Sequence, residues 1–246
     1  RGVIYDRNKE ELVWNVKDAS SDLTKRAYIH EGGFSSLLGY VSYPAKDEKG
    51  IFWQDRTLGK DGIEKEFDTL LAGTNGKQLI ESDVSGAVVL QGSIEPSIQG
   101  ENIYLSIDKR LQHALYNGIA SLAEQSGYVG GTGLIMDVHT GELYAMTSYP
   151  EYSSEIISEG TQTEIIRGYL KSTGKPLLNR ALDGVYTPGS IVKPFFALAA
   201  LQENIISPNK VLYTTGSLTI PNPYNPKLKS VFKDNANHGA VDMRKA

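Results

Sequence analysis

What most limits the fold of this chain is a change in the period of its apolar residues near Gly100. In the region before it, apolar residues come in short strand-like runs, 87–90 the clearest, punctuated by Gly86, Gly92, Pro96 and Gly100 itself. A last such run spans 103–107, and then Leu111, Leu115, Ile119 and Leu122 recur at helical spacing, with Asp108 placed to cap the start and Gly127 beyond the end. Two further apolar runs, 133–138 and 143–148, flank His139-Thr140-Gly141-Glu142 and predict a hairpin leading off that helix. Short strands followed by a helix and an antiparallel pair make an α+β chain. At about 150 residues per domain, 246 residues allow two modest units, and Gly100 is the expected boundary between 1–100 and 101–246.

Local patterns fill in the rest. Val3 and Tyr5 alternate before the polar Asp6-Arg7-Asn8-Lys9 turn, and Leu12, Trp14 and Val16 alternate after it, which predicts a simple hairpin over 1–16. Ile63, Phe67, Leu70 and Leu71 predict one short helix ended by Gly73. Thr161 and Glu164 have the spacing of a capping box for a helix through Leu170. Ile191, Phe195, Leu198 and Leu201 then share one face of a helix ending near Asn204.

Several function classes drop out. The chain has no Cys, so thiol nucleophiles, thiolate metal sites and disulfides are excluded. Its net charge of -4 provides no global basic field, and no nucleic-acid partner is expected. The longest apolar run, 195–201, is far below the ~18 residues of a membrane span. His30, His113, His139 and His238 lack the paired spacing of zinc hydrolases, and no metal site is expected. Gly73-Thr74-Asn75-Gly76-Lys77 and Gly174-Lys175 lack the spacing of a phosphate-binding loop.

What remains is Ser-x-x-Lys, in which a neutral amine three residues on takes the proton of a hydroxyl nucleophile. The motif occurs five times, beginning at Ser106, Ser172, Ser190, Ser207 and Ser230, so context must choose among them. Only Ser190 follows a Pro-Gly turn and opens an apolar helix. Proline is tolerated only near a helix start, so Pro194 places that start close to Ser190, with Ser190 at the cap or first position and Lys193 on the next turn. The candidate catalytic residues are Ser190 and Lys193, and a plain helix cap is the other reading of Ser190.

Around that pair, Asn179-Arg180-Ala181, Tyr186 and Pro188-Gly189-Ser190-Ile191-Val192-Lys193 resemble the active-site stretch of the class B penicillin-binding proteins. Ser106-Ile107-Asp108 with Leu111-Gln112, and then Asp137, Thr140-Gly141-Glu142, Ala145-Met146, Ser148 and Pro150, resemble the opening of that family's catalytic domain. Upstream, Arg1-Gly2-Val3-Ile4-Tyr5-Asp6-Arg7-Asn8 resembles the segment that follows the family's membrane anchor. Lys9 stands where a final Gly is usual, so that turn is expected to differ. Gly59, Gly62-Ile63-Glu64, Phe67-Asp68, Leu71 and Gly73 resemble an element of the noncatalytic pedestal domain.

The resemblance implies a pedestal, of the dimerisation type, over 1–100 and the first part of a transpeptidase domain over 101–246. It implies a serine D,D-transpeptidase of the elongation type that cross-links peptidoglycan stem peptides, is acylated by β-lactam antibiotics, and needs no cofactor or metal. It further implies an N-terminal anchor in the cytoplasmic membrane upstream of Arg1, an extracytoplasmic catalytic face, and work beside a membrane glycan polymerase in an elongation or division complex. The family also uses a later S-x-N and a K-[ST]-G strand. No K-[ST]-G is present, Ser207-Pro208-Asn209 follows Ser190 too soon, and His238-Gly239-Ala240-Val241-Asp242 resembles the approach to the true S-x-N. The expectation is therefore a truncated, inactive portion of such an enzyme. The alternatives are a scaffold acting through its pedestal, or a serine β-lactamase or β-lactam sensor.

Overall fold

The alternating residues at the start of the chain form the expected hairpin, Ile4–Tyr5 against Glu11–Lys17. The Asp6 carboxylate closes its turn by accepting the backbone N–H groups of Asn8 and Glu10 at 2.6 and 2.9 Å. Lys9 adopts a left-handed φ of 66°, so the expected departure is corrected: the turn keeps the shape glycine favours, with a lysine in it. The computed structural model, which describes residues 1–17, 24–82 and 88–245, extends the ribbon to four strands in the order Ile103–Tyr104, Ile4–Tyr5, Glu11–Lys17, Thr24–Tyr28. The outermost pairing, Ile4 opposite Ile103, is parallel and closes a loop of nearly 100 residues, which local alternation does not reveal.

This sheet supports a core of Ile4, Leu12, Val13, Tyr28, Phe34, Leu38 and Leu71, with Ile103 and Leu105 packed against it. A second cluster joins Leu37 to Ile107 and Met146. Residues before and after Gly100 thus share both clusters. By packing alone the chain divides into compact units of 1–185 and 186–246, and no separate cores meet at Gly100. The glycine has another reason: a Cβ at 100 would lie 2.0 Å from the Leu71 carbonyl oxygen, so only glycine lets the two backbones pass.

Three buried ionic groups tie the first unit together. Glu64 is fully buried and accepts from Arg1 Nη2 and from Arg26 Nε, each at 2.8 Å, while Arg1 Nη1 meets Asp68 at 2.8 Å. Arg26 Nη1 also donates to the Gly2 carbonyl and to Asn15 Oδ1. Asp68 turns back to accept the Gly59 N–H at 2.7 Å. The predicted helix over 63–71 is accordingly split at Phe67 into Gly62–Glu66 and Asp68–Leu71.

The helix Lys109–Ser126 begins as expected at Asp108, whose carboxylate accepts the Arg110 and Leu111 N–H groups, and ends at left-handed Gly127. The hairpin Gly131–Met136 with Leu143–Tyr149 packs on it. Gln112, with no exposed surface, donates to the Gly33 and Met146 carbonyls and accepts the Met146 N–H at 2.7 Å, joining helix, hairpin and the Gly32–Gly33 loop. The capping box does not form: the helix Thr163–Lys171 has no side-chain cap, and Glu164 pairs with Arg167 instead. A helix not foreseen, Ser154–Glu159, is capped by the Ser153 hydroxyl. The strand expected over 87–90 is described only from Val88, within Val88–Glu95; its first residue lies outside the described residues.

In the second unit, a 3-10 turn Gly189–Val192 leads into the α-helix Lys193–Gln202. Two antiparallel pairs follow, Leu212–Thr214 with Gly239–Val241 and Ser217–Asn222 with Asn225–Lys233. No described residue from 186 onward is buried.

Candidate active site

The approach to the Ser190 turn is anchored within the first unit. Asn179 Nδ2 donates to the Ser36 carbonyl at 3.0 Å, and the Ser148 hydroxyl donates to the Leu178 carbonyl while accepting the Arg180 N–H. Arg180 is buried and donates through its guanidinium to the Lys175 and Gly174 carbonyls. These bonds account for the Asn179-Arg180-Ala181 pattern as a means of holding the chain just before the candidate site.

Ser190 itself is not the helix cap that spacing predicts. In an α-helix the N–H of residue 194 would bond to the Ser190 carbonyl, but Pro194 has no N–H. The Lys193 N–H bonds to that carbonyl instead, which tightens the segment to a 3-10 turn and moves the α-helical start to Lys193. Gly189 enters the turn at φ 61°, in the left-handed region that favours glycine. On a 3-10 turn residues three apart eclipse, so Ser190 and Lys193 lie on one face more closely aligned than on an α-helix. Both are exposed, and neither side chain has a hydrogen-bond or ion-pair partner among the described residues.

Lys193 borders a cavity of about 570 Å³ whose other walls are the 212–218 turn and Phe232, Lys233 and Asp234. Sequence reading missed these walls because their pairing is nonlocal: Thr214 meets Gly239, and Leu218 meets Phe232. Ser230 lies in a strand opposite Ile220.

The other Ser-x-x-Lys matches are occupied elsewhere. The Ser106 hydroxyl donates to the Leu143 carbonyl, and Lys109 pairs with Glu31 at 3.2 Å. The Ser172 hydroxyl accepts the Gly174 N–H at a helix end, and that of Ser207 accepts the Asn209 N–H in a turn. No cluster of His, Asp or Glu arranged to hold a metal occurs among the described residues. No helix among them is long and apolar enough to cross a membrane.

A mixed helix-and-strand unit is followed by a serine–lysine turn, and comparison with known proteins is specific. The Penicillin-binding Protein dimerisation domain model matches residues 19–105, and the Penicillin binding protein transpeptidase domain model matches 131–246. The chain belongs to the class B penicillin-binding proteins. The peptidoglycan D,D-transpeptidase MrdA of Haemophilus influenzae is 30% identical over 90% of this chain and 34% of its own length. FtsI of Escherichia coli is 35% identical over 77% of this chain and 28% of its own. The crystal structure of Pseudomonas aeruginosa PBP2 superposes with a TM-score of 0.74 at 27% identity, covering all of this chain and 49% of that one. The chain thus spans about a third of the length of the curated relatives it matches.

Proposed function

We propose that the whole protein is a peptidoglycan D,D-transpeptidase in which Ser190 is the nucleophile and Lys193 its general base. Lys193 Nζ takes the proton of the Ser190 hydroxyl as Ser190 Oγ attacks the carbonyl between the two terminal D-Ala residues of a stem peptide. The C–N bond breaks, the proton passes to the departing D-Ala amine, and an acyl-enzyme remains. The amine of a neighbouring stem then attacks the ester, forms the cross-link and returns the proton to Ser190 Oγ. The observation that best supports this reading is the 3-10 turn that sets Ser190 three residues before Lys193, both exposed and, among the described residues, without another side-chain partner.

In this reading residues 1–100 are the pedestal and 101–246 the opening part of the transpeptidase domain. The protein is held by an N-terminal anchor in the cytoplasmic membrane with this domain on the outer face, and binds β-lactams as mimics of the D-Ala-D-Ala terminus. A similar Helicobacter pylori PBP2, with a TM-score of 0.72 at 23% identity, was solved as a complex with MreC. Assembly into an elongation complex beside a glycan polymerase belongs to the same proposal. A scaffold role through the pedestal is the second reading, favoured by the well-buried core confined to residues 1–185.

Labelled penicillin separates the two. In the full-length protein, mass spectrometry should find the adduct on the Ser190 peptide and lose it in Ser190→Ala. Labelling that survives Ser190→Ala assigns the wrong serine, and an unlabelled full-length protein favours the scaffold. The 246-residue chain should label weakly, because an oxyanion-hole donor is worth about 2.7 to 4 kcal/mol and the resemblance assigns one donor to a K-[ST]-G strand that this sequence lacks.

A further inference from the structure

Among the described residues of the first unit, one run of three consecutive large apolar side chains lies open to solvent: Ile51, Phe52 and Trp53, at 64%, 47% and 71% exposure. They sit on a hairpin, Ala45–Lys46 against Phe52–Gln54, which pairs with no other described strand. Its turn is closed by Asp47, whose carboxylate accepts the Lys49 and Ile51 N–H groups at 2.9 and 2.8 Å and whose own N–H donates to the Ile51 carbonyl. Its root is fixed by the buried Gln54, whose side-chain amide donates to the Tyr43 and Arg56 carbonyls at 2.9 and 3.0 Å. Trp53 is the extra residue of a bulge between these two ends. A closed turn and a bonded root hold the three side chains away from the core.

Area and charge select what covers them. At ~150–250 Å² for each large side chain, the exposed part of the three comes to about 400 Å², half of the ~800 Å² per partner that a stable protein interface buries. Lys46, Lys49 and Arg56 are matched by Asp47, Glu48 and Asp55, so the hairpin has no net charge with which to steer a charged partner. A lipid interface requires neither a large complementary wall nor a net charge, since apolar side chains enter it one by one. Tryptophan is favoured at the headgroup level, and lysine stems lie along apolar surface while the ammonium stays in water. Lys46 already does this, with Nζ 4.5 Å from the centre of the Phe52 ring.

We propose that the 45–54 hairpin is a membrane contact whose tip, Ile51, Phe52 and Trp53, enters the headgroup region of a phospholipid bilayer. Arg1 stands at its root: Arg1 Nη1 donates to the Thr57 carbonyl at 2.9 Å, and Arg1 lines one cavity with Pro44, Asp55 and Arg56. The proposal rests on the anchor upstream of Arg1 only for its tether, which holds the hairpin at the surface so that a contact too small to last alone is made repeatedly. A second attachment beside a single anchor then limits how far the first unit swings over the bilayer.

Trp14→Phe leaves Trp53 as the only tryptophan of the 246-residue chain, and because the chain has no Cys, one cysteine added before Arg1 couples it to a maleimide lipid in phosphatidylcholine vesicles. Trp53 emission should shift to the blue on the vesicles and be quenched about twofold by lipids brominated high in the acyl chain. Ile51→Ser together with Phe52→Ser should remove most of both effects, and thermal melting checks that these exposed changes leave the fold intact. Trp53 that stays unshifted and unquenched on the tethered chain overturns the proposal, as does quenching that the serine pair leaves unchanged. A blue shift that grows with protein concentration in the absence of lipid assigns the tip to a second copy and overturns it as well. Membrane fractionation of the full-length protein reads the anchor separately, so a failure of that reading is told apart from a failure of the tip.

Discussion

In residues 1–185, Ile4, Leu12, Val13 and Leu71 have no exposed surface, whereas in 186–246 the largest side chains of the serine helix, Phe195 and Phe196, are 73% and 69% exposed. The first unit owns a core; the second carries comparable apolar content without one. The helix Lys193–Gln202 is apolar on nearly all its faces, a composition suited to the interior of a larger assembly rather than to a surface. The candidate nucleophile therefore sits on the less self-sufficient of the two units. A site that must hold Ser190 and Lys193 in one register depends on whatever packs around that helix.

The contrast breaks most easily at its largest side chains. Phe34→Ala, at a 2% exposed position of the first core, should lower stability by about 3–5 kcal/mol, while Phe195→Ala in the same 246-residue chain should change it by less than about 0.5 kcal/mol. Urea unfolding of both variants decides the matter, and a Phe195→Ala loss as large as that of Phe34→Ala would mean that the second unit has a core after all. The buried ionic cluster sharpens the same point. Glu64→Ala strips the buried Arg26 guanidinium of its carboxylate and leaves Arg1 with Asp68 alone, and should lower the urea midpoint by the equivalent of about 3–5 kcal/mol.

The sequence carried the helix Lys109–Ser126, its caps and the following hairpin almost residue for residue, because amphipathic period and capping are local. It carried the Ser190 turn in outline, since a proline without an N–H limits where a helix begins; the 3-10 tightening follows from the same missing donor but needed the backbone to be seen. Gly100 marks a change of pattern in the sequence, but its close approach to the Leu71 carbonyl, which also demands glycine, is visible only in the structure. Arg26 was not singled out at all. A lone arginine in a strand looks like a solvated charge until Glu64, 38 residues away, is placed against it.

Smaller effects test how far local features stabilise the first unit. Asp108→Ala should cost about 1 kcal/mol through loss of the cap on Lys109–Ser126, and Asp108→Asn much less. Hydrogen bonds from Arg110, Asn8 and backbone N–H groups hold the Asp108 carboxyl well below its ordinary 3.8. A lowered carboxyl pKa contributes stability that is complete above the unfolded value and is lost as pH falls below it. Acid unfolding followed below pH 3.8 should therefore show a shallower loss in Asp108→Asn than in the parent. The smallest change expected is a gain: Lys9→Gly relieves a left-handed lysine in the first hairpin and should raise the melting temperature by the equivalent of less than about 1 kcal/mol.

Hydrogen exchange on the 246-residue chain tests the two-unit account most directly. Amides of Glu11–Lys17 and of the middle of Lys109–Ser126 should exchange only through global unfolding of the first unit, while those of Lys193–Gln202, lacking a buried face, should exchange orders of magnitude faster. Protection of the serine helix equal to that of Lys109–Ser126 would contradict the account, because it would show a helix stabilised without the packing that its exposed side chains lack.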